Sequence, residues 1–126
     1  MIRVLIIGKK SFIGSNLYTF LKKKFFVKKL SFYEFKKKNI NFFKKYTHVI
    51  NCSINPNYAK YKYNNIFDND LKIANKIKNI KIKYIFLSSR KIYKPKHNIK
   101  ESDDPNPSCN YSKNKFITEK KLTSIL

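Results

Sequence analysis

The sequence predicts an α/β fold, a parallel sheet with helices on both faces, and three observations carry that prediction. Short aliphatic and β-branched runs alternate with segments whose apolar residues recur at helical spacing. The chain has only two glycines, Gly8 and Gly14, and both fall between the first apolar run and the first helical segment. Pro95, Pro105 and Pro107 gather in one polar stretch ahead of a last helical segment.

Each element follows from its residues. Ile2 to Ile7 is a nearly continuous apolar run, the mark of a strand buried on both faces. After a turn at Gly8-Lys9-Lys10-Ser11, Phe12, Ile13, Leu17, Phe20 and Leu21 recur at helical spacing, which predicts a helix over 12–23. Phe25 to Leu30 reads as a second strand, weakened by Lys28-Lys29. In 31–46 the aromatics fit no single period, and one short helix is predicted near 39–46. Thr47 to Asn51 is the third strand, and Asn55-Pro56-Asn57 marks a loop that continues as a polar stretch through Asn65. Phe67, Leu71, Ala74 and Ile77 line one side of a helix predicted over 66–79. Ile82 to Leu87 is the most strand-like segment, and a final helix begins near Asn110. No repeat and no linker divides residues 1–126, so one domain is expected.

Composition excludes several classes. An apolar share of 42% is too high for a disordered polycation. No apolar run approaches the roughly 18 residues that cross a bilayer. The start at Met1-Ile2-Arg3 lacks a secretory signal, so a cytoplasmic protein without a membrane partner is expected. Cys52 and Cys109 have neither the number nor the spacing of a disulfide framework or a metal site. Lys and Arg total 29 against 7 Asp and Glu, a formal net charge of +22. Such a balance raises nucleic acid as a partner. Yet only Arg3 and Arg90 are arginine, the usual instrument of bidentate phosphate recognition, and the lysines are scattered along the whole chain. Lysine filling solvated positions explains the charge better than a built nucleic-acid face.

The segment Gly8-Lys9-Lys10-Ser11-Phe12-Ile13-Gly14 joins a strand to a helix. Gly8 permits a tight turn, the helix start presents unpaired amides to a diphosphate, and Gly14 lets the helix pack closely on the strand. A second constellation lies downstream. Ser89 follows the most strand-like segment, where open α/β sheets place ligand groups. Tyr111 and Lys115, four apart, share a helix face. An ammonium beside a phenol lowers its pKa, and the pair can then exchange a proton with a substrate hydroxyl while hydride moves to or from a nicotinamide. Among so many lysines a Tyr-x-x-x-Lys spacing alone carries little weight. Its order relative to Gly8, Gly14 and Ser89 does.

These motifs resemble the extended short-chain dehydrogenases/reductases, the NAD-dependent epimerase/dehydratase family acting on nucleotide sugars. Gly8-x-x-Ser11-Phe12-Ile13-Gly14 is similar to the family's Gly-x-x-Gly-Phe-Ile-Gly loop, and Val49-Ile50-Asn51-Cys52-Ser53 to its Val-Ile-Asn-Ala-Ala strand end. Ser88-Ser89-Arg90-Lys91-Ile92-Tyr93 resembles its Ser-Ser-x-x-Val-Tyr segment. Glu101-Ser102-Asp103 through Pro107, then Tyr111-x-x-x-Lys115 and Glu119, is similar to its Glu-x-Asp-x-x-x-Pro, Tyr-x-x-x-Lys and trailing Glu. The loop before Tyr111 resembles the dTDP-4-dehydrorhamnose reductase branch.

The resemblance implies a Rossmann-type fold, NAD or NADP as cofactor, a nucleotide-sugar substrate in polysaccharide synthesis, and room for a homodimer. It places the cofactor on Gly8, Ser11, Phe12, Ile13, Gly14, Ser31, Asn51 and Lys115. Catalysis falls to Ser89, Tyr111 and Lys115, with Tyr111 as acid/base and Ser89 polarising the substrate oxygen. The chain departs from the pattern at Ser11, which replaces a glycine, and at Ser31, near the position where an acid binds the ribose. The family's chains are longer, so a chain that stops before the carboxyl-terminal strands and the substrate-binding part is expected. The alternative from another class is a dinucleotide-binding module without turnover.

Overall fold

A computed structural model describes all 126 residues. Four strands form one parallel sheet: β1 (Arg3–Ile7), β2 (Phe26–Leu30), β3 (His48–Asn51) and β4 (Lys83–Ile85), in the order β2-β1-β3-β4. In register, Ile7 of β1 lies opposite Leu30 of β2 and Asn51 of β3. The chain crosses from β1 outward to β2, then returns over β1 to β3. The carboxyl ends of β1 and β3 therefore flank the point where the strand order reverses, the place in such sheets where a crevice opens.

Alternation along β1 sorts the core into two layers. Leu5 and Ile7 face one side with Leu30, Val49, Phe35, Phe43, Tyr46, Ile73 and Ile77, under helices α2 (Phe32–Lys37), α3 (Ile40–Phe43) and α5 (Asn69–Ile77). Val4 and Ile6 face the other side with Ile50, where Leu17, Tyr18 and Leu21 of helix α1 (Phe12–Leu21) cover them. The sheet thus carries helices on both faces, as the alternation of elements predicted. Helix α6 (Asn110–Ile125) packs on α5 and on a short α4 (Pro56–Lys60). Asn110 and Asn114 donate to the Lys60, Tyr58 and Tyr61 carbonyls at 2.7–2.9 Å, groups that the end of α4 leaves without intrahelical partners.

Three segments differ from the sequence prediction. Residues 31–46 hold two helices, α2 and α3, where one near 39–46 was expected. Ser31 and Glu34 form a reciprocal capping box that starts α2. The expected loop and polar stretch after Asn55 contains α4, begun by the Asn55 cap and Pro56 in the first turn, and a 3-10 turn at Asn65–Phe67. The fourth strand is confined to Lys83–Ile85, where it pairs with His48–Ile50 of β3. No helix is long and apolar enough to cross a membrane. Lysines lie over aromatic rings around the fold, for example Lys29 on Tyr18, Lys28 on Phe42 and Lys76 on Phe35. Their methylene stems cover apolar surface while the ammonium stays near water.

Candidate functional site

The Gly8–Gly14 segment sits where the strand order reverses. The Gly8 and Lys9 amides both donate to Leu30 O at the end of β2, at 2.7 and 3.1 Å, and the Cys52 amide donates to Ile7 O at 2.7 Å. The turn is thereby pinned between the ends of β2 and β3. Gly8 has φ +103°, and a Cβ there would lie 2.7 Å from Ser53 N and 2.8 Å from Cys52 C. A Cβ on Gly14 would lie 2.3 Å from Gly8 O. Both glycines are required by backbone packing, which brings the α1 amino terminus against the end of β1.

Ser11 is the cap of α1. Its hydroxyl accepts from Gly14 N at 2.9 Å, and its carbonyl accepts from Ser15 N at 2.9 Å. The Phe12 and Ile13 amides in the first turn donate to nothing in the chain. Ser11, which replaces a glycine of the expected pattern, therefore leaves two open donors at the helix start. The side chains of Phe12 and Ile13 are exposed beside them. Lys9 of the turn pairs with Glu34, whose carboxylate also accepts from Ser31 N at 3.2 Å. The Lys9 ammonium, more than the Ser31 amide, holds the Glu34 pKa down at about 2. Ser31 itself caps α2, its hydroxyl accepting from Glu34 N at 3.0 Å.

Asn51, at the end of β3, is buried and fully engaged within the fold. Its Oδ1 accepts from Ser53 N at 2.9 Å and Ser53 Oγ at 2.6 Å, and its Nδ2 donates to Asp70 Oδ1 at 2.9 Å. Burial raises the thiol of the neighbouring Cys52 to about 11.

The second constellation is centred on α6. Lys115 is 7% exposed, and its Nζ donates to Leu87 O at 3.0 Å and stands 3.8 Å from Asp70 Oδ2. Its ammonium is 4.8 Å from the Phe86 ring centre and 5.8 Å from that of Tyr111. Tyr111 is half-buried, edge-on to Tyr58. Burial above all, then the Asp70 charge, pushes the Tyr111 phenol upward. That reverses the lowering expected from a neighbouring ammonium, since the Lys115 head is turned to Leu87 O and Asp70. Ser89 caps a 3-10 turn over Arg90–Ile92, its hydroxyl accepting from Lys91 N at 3.1 Å. Its neighbour Ser88 donates to Glu119 at 3.1 Å. Tyr111 and Lys115 come together on one helix, and Lys115 reaches the carbonyl two residues before Ser89. No hydrogen bond joins Ser89 to Tyr111.

Sequence reasoning missed Asp68 and Asp70. Asp68 is wholly buried, capping α5 at Leu71 N (3.0 Å) and accepting from Tyr63 at 2.6 Å and Thr118 at 2.7 Å. Thr118 in turn shares a 2.7 Å bond with the Tyr58 hydroxyl. Asp70 accepts from Asn51 and from the Tyr84 hydroxyl. One signal could have found them. The chain has only 7 acidic residues, and these two fall at the start of an apolar helical segment.

No protein-family model and no curated protein matches the sequence. Solved structures do match its fold. A dTDP-4-dehydrorhamnose reductase from Clostridium acetobutylicum superposes with a TM-score of 0.78 at 23% identity, over 98% of this chain and 50% of that one. UDP-N-acetylglucosamine 4-epimerase from Methanobrevibacter ruminantium, in complex with UDP-N-acetylmuramic acid, gives 0.75 at 24% identity, over 97% of this chain and 49% of that one. UDP-glucuronic acid 4-epimerase from Bacillus cereus, in complex with NAD, gives 0.70 at 17% identity, over 98% and 52%. The chain spans about half the length of these structures. What it shares with them is the Rossmann-type α/β fold, the parallel sheet on which a reductase and two epimerases of sugar nucleotides are also built.

Proposed function

We propose that these residues form the dinucleotide-binding unit of an extended short-chain dehydrogenase/reductase acting on a nucleotide sugar, with NAD as cofactor. The observation that carries the reading is the pair of open amides at Phe12 and Ile13, placed by Gly8 and Gly14 where the strand order reverses. Two unpaired donors at the positive end of a ten-residue helix suit a diphosphate. Asn51 supports that cradle from behind by fixing the Ser53 turn. Glu34 supplies an acid just beyond β2, paired there with Lys9, and NAD is the dinucleotide bound in solved structures that match the fold. When bound, the nicotinamide supplies a hydride acceptor or donor. The chain's part is to orient the substrate oxygen and exchange its proton through Tyr111, with the Lys115 charge nearby. The neighbouring structures in complex with UDP-glucose and NAD, and with NAD, support this class of cofactor and substrate.

Thermal unfolding with added ligand tests the reading. At a hundredfold excess over its dissociation constant, NAD is expected to stabilise the fold by about 2.7 kcal/mol. NADP should stabilise it less, and inorganic phosphate at equal concentration hardly at all. Equal shifts for all three would remove the dinucleotide assignment.

The alternative, a dinucleotide-binding module without turnover, is favoured by one observation: Lys115 is directed away from the phenol, whose pKa is raised. Tyr111→Phe separates the two readings. In an enzyme it abolishes hydride transfer and leaves NAD affinity unchanged. In a binding module neither changes, because there is no turnover to lose.

A further inference from the structure

We propose that Asp70 is the positioning residue for Lys115: held in place by Asn51 and Tyr84, its carboxylate keeps the buried ammonium in place at the Leu87 carbonyl.

Lys115 is 7% and Asp70 5% exposed, so each charge has been taken out of water and needs compensation inside the fold. Several elements meet around the ammonium, with Ser53 and Asn55 of the loop after β3 lining the same small cavity as Lys115. The stretch after β4 offers the Phe86 ring and the Leu87 carbonyl. Helix α4 offers the Tyr58 ring at 5.6 Å, and α6 itself offers the Tyr111 ring. The start of α5 brings two acids, its cap Asp68 and, in its first turn, Asp70. The carboxylate oxygens of Asp68 are engaged by Leu71 N, Tyr63 and Thr118. Asp70 takes the hydrogen bonds of Asn51 and Tyr84 on Oδ1, which leaves Oδ2 to face Lys115 at 3.8 Å. Two fixed donors on one oxygen set the direction of the other.

The consequence is electrostatic. Burial drives Lys115 toward the neutral amine, and the Asp70 charge is the largest influence opposing it. Asp70 experiences the converse, pushed up by burial and pulled back first by Lys115. The contact also joins the two constellations, since Asn51 fixes the turn against which Gly8 packs and Lys115 rides on the helix that carries Tyr111. This assignment takes its functional interest from the proposed oxidoreductase reading. Its test concerns Lys115 alone and requires no cofactor.

Competitive acylation of the full chain across a pH series, read residue by residue by mass spectrometry, gives the titration midpoint of Lys115. Lys76 serves as reference, because its ammonium is held by the Phe35 and Lys36 carbonyls and has no contact with Asp70. In Asp70→Asn the Lys115 midpoint should fall by about one pH unit, a tenfold rise in neutral amine well below the midpoint. The Lys76 midpoint should stay where it was, and Asp70→Glu should restore much of the Lys115 value. An unchanged Lys115 midpoint in Asp70→Asn overturns the proposal. If Asp70→Asn does not fold, the double variant with Lys115→Met should fold again, since it removes the uncompensated cation. A double variant that stays unfolded overturns the proposal too. Loss of the NAD effect with the midpoint shift intact would remove the oxidoreductase reading and leave this assignment standing.

Discussion

The Gly8–Gly14 turn and the α6 cluster are built by opposite means. The turn uses backbone: amides at the start of α1, a left-handed glycine, and a helix pressed against the end of β1. Its parts are contiguous in sequence, and its geometry is complete in the folded chain. The α6 cluster uses side chains from separate elements, Asn51, Asp70, Tyr84 and Lys115, with Tyr111 beside them. Its lysine is directed by partners that lie far away along the chain. A backbone site tolerates changes of side chain but not of shape. A side-chain site has the reverse sensitivity.

Substitution tests that contrast directly. Gly14→Ala places a Cβ 2.3 Å from Gly8 O, and neither backbone can yield without moving a strand end. We expect a loss of about 3 kcal/mol, roughly 10 °C in Tm, by calorimetry. A Tm within a degree or two of the parent would mean that the α1 start is not held against β1. Next in size is Tyr58→Phe, which breaks the bond to Thr118 beside the buried Asp68 and should cost about 1–2 kcal/mol. Tyr111→Phe, whose hydroxyl bonds to no group of the chain, should stay within about 0.5 kcal/mol. Matching losses in denaturant melts would make Tyr111 a structural residue.

Thiol chemistry sharpens the comparison at a smaller scale. Cys109 is exposed at the start of α6, and hydrogen bonding with Ser112 lowers its pKa, whereas Cys52 behind Gly8 is raised to about 11 by burial. A thiol reagent at neutral pH should modify Cys109 first and reach Cys52 only on unfolding. Comparable rates would show that the β3 end opens readily.

The smallest effect is that of the Lys9–Glu34 pair. The folded pKa of Glu34 is depressed from 4.5 to about 2, so the unfolded chain binds its proton first as the solution is acidified. The pair's contribution is complete above about pH 4.5 and disappears as pH falls toward 2. Being exposed, the pair adds little, but Glu34→Gln should flatten that leg of the stability curve. An identical leg in the variant would show the pair to be without effect.

Much of the frame was legible from periodicity. The buried runs at Val4–Ile7 and Val49–Ile50 and the helical spacing of Leu71, Ala74 and Ile77 correspond to core positions. The short helices α2 and α4 were missed because six or fewer residues hold too little periodicity, although Ser31-x-x-Glu34 and Asn55-Pro56 were helix-start signatures in plain view. Of the candidate site, the Gly8–Gly14 turn was readable and Asp70 was not. Its position in α5 shows only that an acid falls at the start of a helix. That it faces Lys115, 45 positions further along the chain, depends on how α5 and α6 cross.

From its own letters the chain determined the succession of its strands and longer helices, the glycine turn and the helix start that follows it. Turn and cap preferences act between residues a few places apart, so they are present in any stretch that contains them. The tertiary structure alone decided which carboxylate meets Lys115, where the lysine points and which way the Tyr111 phenol shifts. Desolvation and charge act through distance in space, and those distances exist only once strands and helices have packed.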